Sequence, residues 1–272
     1  MICKIGIFWR IQRKVKQLQA TVQRRASVII LVALFLVTAI LPSTAQMVTE
    51  NSQVSDLSNR KDTVSQGEAL YEAQQFSDAV KILQQQNATY AANGDKLQQA
   101  MTLSNLSLAY QELGHWKEAQ EAISQSLKLL QNLNNSKQRA DILAQTLDVQ
   151  GRLQLARGQT ESALATWQQA ADIYTQIGYK NKFIRNRINS AQALQILGLY
   201  PQAKKTLTSV QQNLASLKDS PLKATGLRSL GDVLRVVGDL DESRLVLKHS
   251  LEVASSLGAN QEKAEALLSL AN

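Results

Sequence analysis

The sequence predicts an all-α chain, a right-handed α-solenoid of antiparallel helical hairpins that repeat about every 40 residues. Three observations predict it. Gly114, Gly158, Gly198 and Gly238 are separated by 44, 40 and 40 residues, and one further step of 40 back lands on Gln74. Seven residues before each of these stands a small residue (Gly67, Ser107, Gly151, Ala191, Gly231), and nine after stands an apolar one (Leu83, Ile123, Trp167, Leu207, Leu247). The composition agrees: 44% hydrophobic residues suffice for a core, while 5% aromatics, three prolines and abundant Ala, Leu and Gln favour helices over sheets.

Residues 1–45 read as a signal peptide or N-terminal membrane anchor. Lys4, Arg10, Arg13, Lys14, Lys16, Arg24 and Arg25, with no acid among them, precede an unbroken apolar run from Val28 to Leu41. A run of this length suits a signal core, and Ser43 and Ala45 supply the small residues that a cut after Ala45 requires. Left uncleaved, the stretch 26–45 approaches the roughly 20 residues that span a bilayer. In both cases the basic flank stays on the cytoplasmic side. The array is therefore expected across that membrane, exported to a periplasm-like or external space if cleaved and anchored with the array on the non-cytoplasmic side if not.

The leader also explains the charge. The whole chain carries +8, but seven of its 30 bases lie in the leader, so the rest sets 23 bases against 22 acids. A body so near neutrality excludes general phosphate-driven nucleic-acid binding. Cys3, the lone cysteine, lies in the leader too, so the body forms no internal disulfide. Residues 46–61 are polar, rich in Ser, Asn and Gln, and read as a linker.

The array is expected over 62–272, five hairpins and the first helix of a sixth beginning at Gln261. Each glycine ends a first helix in a left-handed conformation. Phe76, Trp116, Thr160, Tyr200 and Leu240, two residues on, pack the turn. Ala79, Ala119, Ala163, Ala203 and Ser243, five on, let the helices approach, and the apolar residue four beyond continues that face. Pro201 and Pro221 fall at a helix start and in a connection, where their rings do no harm. Trp116, Trp167, Tyr110 and Tyr174 stand at packing positions and are expected in the core. Leu267, Leu268 and Leu270 lie on a helix without a partner, which points to a truncated reading frame or to self-association through this C-terminal helix.

These residues resemble the tetratricopeptide repeat (TPR), with its small residues in the first helix, Gly-x-aromatic turn and alanine in the second. Gln74, Thr160 and Ser243 depart from that pattern, and the usual proline between repeats is absent. The period exceeds the usual 34 and is similar to the longer repeat of kinesin light chains. Together with the leader and linker, the array looks most like that of secreted cyanobacterial CHAT-domain proteins, in which a caspase-like domain follows. The resemblance implies a scaffold that binds a protein or peptide, with the sensor half of a CHAT-type protease and a membrane-tethered self-assembly module as alternatives.

No chemistry is expected within these residues. His115 and His249 have no cysteine or acid at ligand spacing, no serine sits in a nucleophile turn, and the glycines follow the repeat, so no catalytic residue, cofactor or metal is assigned. What such an array offers is a concave groove lined by first helices. The register places Asn105, Asp148, Arg152, Arg185, Asn189, Gln192, Arg228, Asp232 and Arg235 there. By resemblance, Arg185 and Asn189, one turn apart, with Arg228 in the next repeat, suit a peptide carrying an acidic group or a C-terminal carboxylate. No acid falls between Asp172 and Asp219, where Lys180, Lys182, Arg185, Arg187, Lys204, Lys205 and Lys218 make a basic patch.

Overall fold

The computed structural model describes residues 66–214 and 218–271, and its secondary structure there is entirely helical. The leader 1–45 and the linker 46–61 fall outside the described residues. Among those described, no helix is long and apolar enough to cross a membrane.

Among the described residues eleven helices follow one another: α1, helical at 66–72, then α2 Phe76–Asn93, α3 Lys96–Glu112, α4 Trp116–Gln131, α5 Lys137–Ala156 and α6 Thr160–Ile177. The series continues with α7 Lys180–Ile196, α8 Tyr200–Leu214, α9 Pro221–Val236, α10 Leu240–Ser256 and α11 Asn260–Ala271. From α2 onward each packs on the next. The odd-numbered helices are the first members of hairpins and the even-numbered ones the second. First helices also touch one another, α3 on α5, α7 on α9 and α9 on α11, with no comparable contact between second helices. The row of first helices is thus the inner side of the stack, and the fold is the expected helical solenoid.

The turns follow from backbone chemistry. At Gly198 the chain enters the left-handed region (φ 73°), so that the Leu199 N–H reaches back 2.8 Å to the Leu194 carbonyl and closes the end of α7. Gln74 does the same at φ 60°, the single non-glycine residue described with positive φ, and Gln75 N–H meets Leu70 O at 2.8 Å. A second glycine series, Gly94, Gly178 and Gly258, turns the chain from one hairpin to the next in the same conformation. The 44-residue interval arises where Asn132–Ser136 replace such a tight turn and α5 extends to 20 residues. There the Ser136 hydroxyl caps α5 by accepting from Arg139 N–H at 3.0 Å, while Arg139 Nε donates to Leu130 O at 2.7 Å and closes α4.

Inside each hairpin the small residue of the first helix faces the apolar residue of the second. A Cβ built at Gly67 would lie 2.8 Å from Leu83, at Gly151 2.5 Å from Trp167, and at Gly231 2.5 Å from Leu247. Ser107 and Ala191, at the same register position, are fully buried, as are Ile123 and Leu207, the apolar residues of their hairpins. Each large side chain buried in this way contributes roughly 1.5–3 kcal/mol. Trp167 and Tyr174 are core, and Tyr110 is half-buried, but Trp116 is 43% exposed. As the first residue of α4 it has no preceding turn of its own helix to lie against, and this corrects its expected burial.

Candidate partner-binding face

The inner row of helices carries two cavities. The first, of about 270 Å³, opens among α3, α5, α6 and α7, with Ser104, Tyr174 and Asn186 set below Asn105, Asp148, Arg152, Lys182 and Arg185. The second, of about 460 Å³, opens among α7, α8, α9 and α11 and is bordered by Tyr200, Arg228, Asp232, Arg235, Glu265 and Leu268. Ile196, Val236 and Leu268, all exposed, give this second mouth an apolar rim.

The residues expected in the groove divide between the two. Asn105, Asp148, Arg152 and Arg185 border the first; Arg228, Asp232 and Arg235 border the second. Gln192 is exposed and borders neither. Asn189 works from one side of the first: its Nδ2 donates to Asp148 Oδ1 at 3.1 Å, tying α7 to α5. Arg185, Asn189 and Arg228 are therefore not brought together as one clamp. The amide of Asn189 is engaged, and Arg228 is turned to acids, Asp232 at 3.2 Å and Glu265 of α11 at 3.0 Å.

Much of the polar lining is a ladder between successive first helices. Asn105 Nδ2 donates to Glu68 Oε1 at 3.0 Å, Tyr71 Oη to Glu112 Oε1 at 3.0 Å, and Lys182 Nζ to Asp141 Oδ1 at 2.6 Å. Lys182 also lies over the rings of Tyr174 and Tyr179, 5.6 and 5.2 Å from their centres. The basic patch is accordingly diminished from outside its own sequence window, since Lys204 pairs with Asp239 at the next turn. Arg185, Lys205 and Lys218 stay exposed with no hydrogen bond or ion pair among the described residues, and Arg185 alone of the three borders a cavity, beside Arg152, which meets Asp148 only at 3.6 Å. In the second cavity, Nε of both Arg228 and Arg235 is buried without an acceptor.

Electrostatics follow the same geometry. Burial pushes the Tyr174 phenol well above its ordinary range, the carboxylates of Asp148 and Asp141 add to this, and Arg185 opposes it. Tyr174, read from sequence as core alone, is thus both core and cavity wall. Asn186 and Glu265 were not singled out by sequence at all. Asn186 falls at a core register position, and Glu265 acquires its meaning only from Arg228, 37 residues away. Among the described residues no group of three or more His, Cys, Asp or Glu side chains could hold a metal ion.

Comparison with known proteins places the fold. No family model matches the sequence, and no curated protein matches it. Solved structures do resemble it. A crystal structure of nearly identical kinesin light chain TPR-like repeats from Podosopora anserina is 20% identical, with 72% of this chain and 95% of that one covered and a TM-score of 0.58. A STAND signal-transduction ATPase with a tetratricopeptide repeat sensor, from Pyrococcus horikoshii, is 12% identical over 76% of this chain and 31% of that one, with a TM-score of 0.67. The Rap conjugation gene regulator of plasmid pLS20, in complex with the Phr* peptide, is 16% identical over 74% and 54%, with a TM-score of 0.59. At these identities the likeness establishes a TPR-like solenoid.

Proposed function

We propose that the array is a non-catalytic scaffold that receives an extended peptide from a partner protein along the row of first helices. The observation that carries this reading is the pair of cavities on one face, each built from three successive first helices: Arg185 at the first has no hydrogen bond or ion pair among the described residues, and Nε of Arg228 and Arg235 at the second is buried without an acceptor. An extended chain crossing the helices can lower one side chain into each cavity, and a free guanidinium such as that of Arg185 gives directional hydrogen bonds to a carboxylate. A regulator of the same fold has been captured with a peptide, which supports the same mode here. The ligand is expected to be acidic, because the first cavity sets Arg152, Lys182 and Arg185 against Asp148 and the neighbouring Asp141.

Selection of dodecamer peptides from a displayed random library against the full-length chain tests this. Selected peptides should bind in fluorescence polarisation, slow amide exchange in α5, α7 and α9, and lose affinity about tenfold when Arg185→Ala removes one charged contact. Peptides that instead protect α4, α6 and α8 would move the interface to the outer helices and overturn the reading.

A further inference from the structure

The floor of the first cavity selects for more than charge. Asn186 is 1% exposed and borders the cavity; its Nδ2 donates to the Lys182 carbonyl at 3.1 Å, while its Oδ1 is buried and meets no donor among the described residues. The Lys182 carbonyl is the ordinary intrahelical acceptor four residues back, so this one bond gives little reason to keep an amide in the core. An unmet buried acceptor opposes folding, and a donor entering the cavity would satisfy it once a small turn of the amide uncovers Oδ1, which exposes almost no surface in this conformation.

The surroundings say which donor. A Lys or Arg side chain would be lowered among Arg152, Lys182 and Arg185, which outnumber the carboxylates of Asp148 and Asp141 and already engage them, so that like charges oppose it. A carboxylate would set acceptor against acceptor, and an apolar side chain would leave Oδ1 unmet. What fits is a neutral donor, the carboxamide of Gln or Asn or the hydroxyl of Tyr, and about 270 Å³ gives it room. At the mouth, Arg185 is exposed and free of hydrogen bonds and ion pairs among the described residues, ready for an anion one position along the same chain.

We infer that this cavity takes a Gln, Asn or Tyr side chain, whose N–H or O–H donates to Asn186 Oδ1, while an adjacent acidic residue of the same peptide places its carboxylate on Arg185. The inference rests on the peptide-binding reading above and adds a two-residue recognition code to it.

The probes are fluorescein-labelled dodecamer pools, acetylated and amidated, with a fixed central pair Gln-Glu, Tyr-Glu, Leu-Glu, Lys-Glu or Gln-Lys in random flanks, titrated against the full-length chain. The Gln-Glu and Tyr-Glu pools should bind at least about tenfold tighter than the other three. Equal binding by all pools overturns the code and leaves the peptide-binding face standing; binding by none overturns both. Tighter binding of pools that end in Gln with a free terminal carboxylate overturns the assignment of the anion to a side chain. Asn186→Leu separates function from architecture. Because it removes the unmet acceptor at similar size, this variant should melt at a higher temperature and no longer distinguish Gln-Glu from Leu-Glu. A variant that melts lower and keeps the preference overturns the role of Asn186. Arg185→Ala, at an exposed position, should fold unchanged and lose only the preference for Gln-Glu over Gln-Lys.

Discussion

The indole of Trp167 lies so close to the Cα of Gly151 that a β-carbon at 151 would stand 2.5 Å from its Nε1. The same Nε1–H donates to Asp148 O at 3.2 Å, so the ring is fixed both by contact and by a hydrogen bond. Gly151→Ala should therefore destabilise the chain by about 1–3 kcal/mol, because the ring cannot retreat from a core already filled. Urea denaturation measures it. In a Trp167→Leu background the penalty of Gly151→Ala should shrink, and strictly additive losses would refute the contact as the cause.

Gln74 holds the one left-handed turn described that lacks glycine, at φ 60°. The left-handed region costs an L-residue about 1–2 kcal/mol, and glycine returns part of that gain through its freer unfolded chain. Gln74→Gly should thus stabilise the first hairpin by about 0.5 kcal/mol. The reciprocal change, Gly198→Gln at φ 73°, should destabilise by a similar or larger amount, and thermal melts of the two variants must move in opposite directions.

How far the sequence reaches is clear from these two places. The pairing of residue 151 with residue 167 was legible because a register of small and apolar positions repeats with the hairpin, and Gln74 was legible by counting back from the glycines. Gly94, Gly178 and Gly258 could have been found the same way. Their series is broken at Asn132 and again after Leu214, so fewer members repeat, and they ended second helices unnoticed. The candidate site was legible only as a set of polar positions on one side of the first helices. The pairing of Arg228 with Asp232 is legible as an i,i+4 spacing, but its tie to Glu265, 37 residues on, and the freedom of Arg185 depend on neighbouring hairpins, and the unmet oxygen of Asn186 depends on packing that no spacing rule describes.

Tyr71 predicts an alkaline limit for the first hairpin. Burial, and then its hydrogen bond to Glu112, push the phenol from 10.0 to about 12. The folded state prefers the neutral phenol, so this stabilisation is complete below pH 10 and is lost as pH rises toward about 12. Tyr71→Phe should flatten stability against pH in that window, as followed by circular dichroism. An ultraviolet titration in which Tyr71 ionises with a midpoint at the ordinary value of about 10 would contradict the assignment.

Arg228 links α9 to α11 through Glu265. Both side chains are partly exposed, so the pair is worth no more than about 1 kcal/mol to the whole chain. Its effect should be local. Glu265→Gln is expected to quicken amide exchange in α11 while α3 to α7 keep their protection, and uniform acceleration along the chain would show that α11 does not open separately.

Among the described residues every helix from α2 onward meets its neighbour within a few tens of residues along the chain, and no helix contact laces the two ends of the array together. Tension applied between the ends would then meet no single breaking point. The array would lengthen in instalments, each about one hairpin long, and refold in the same units when released.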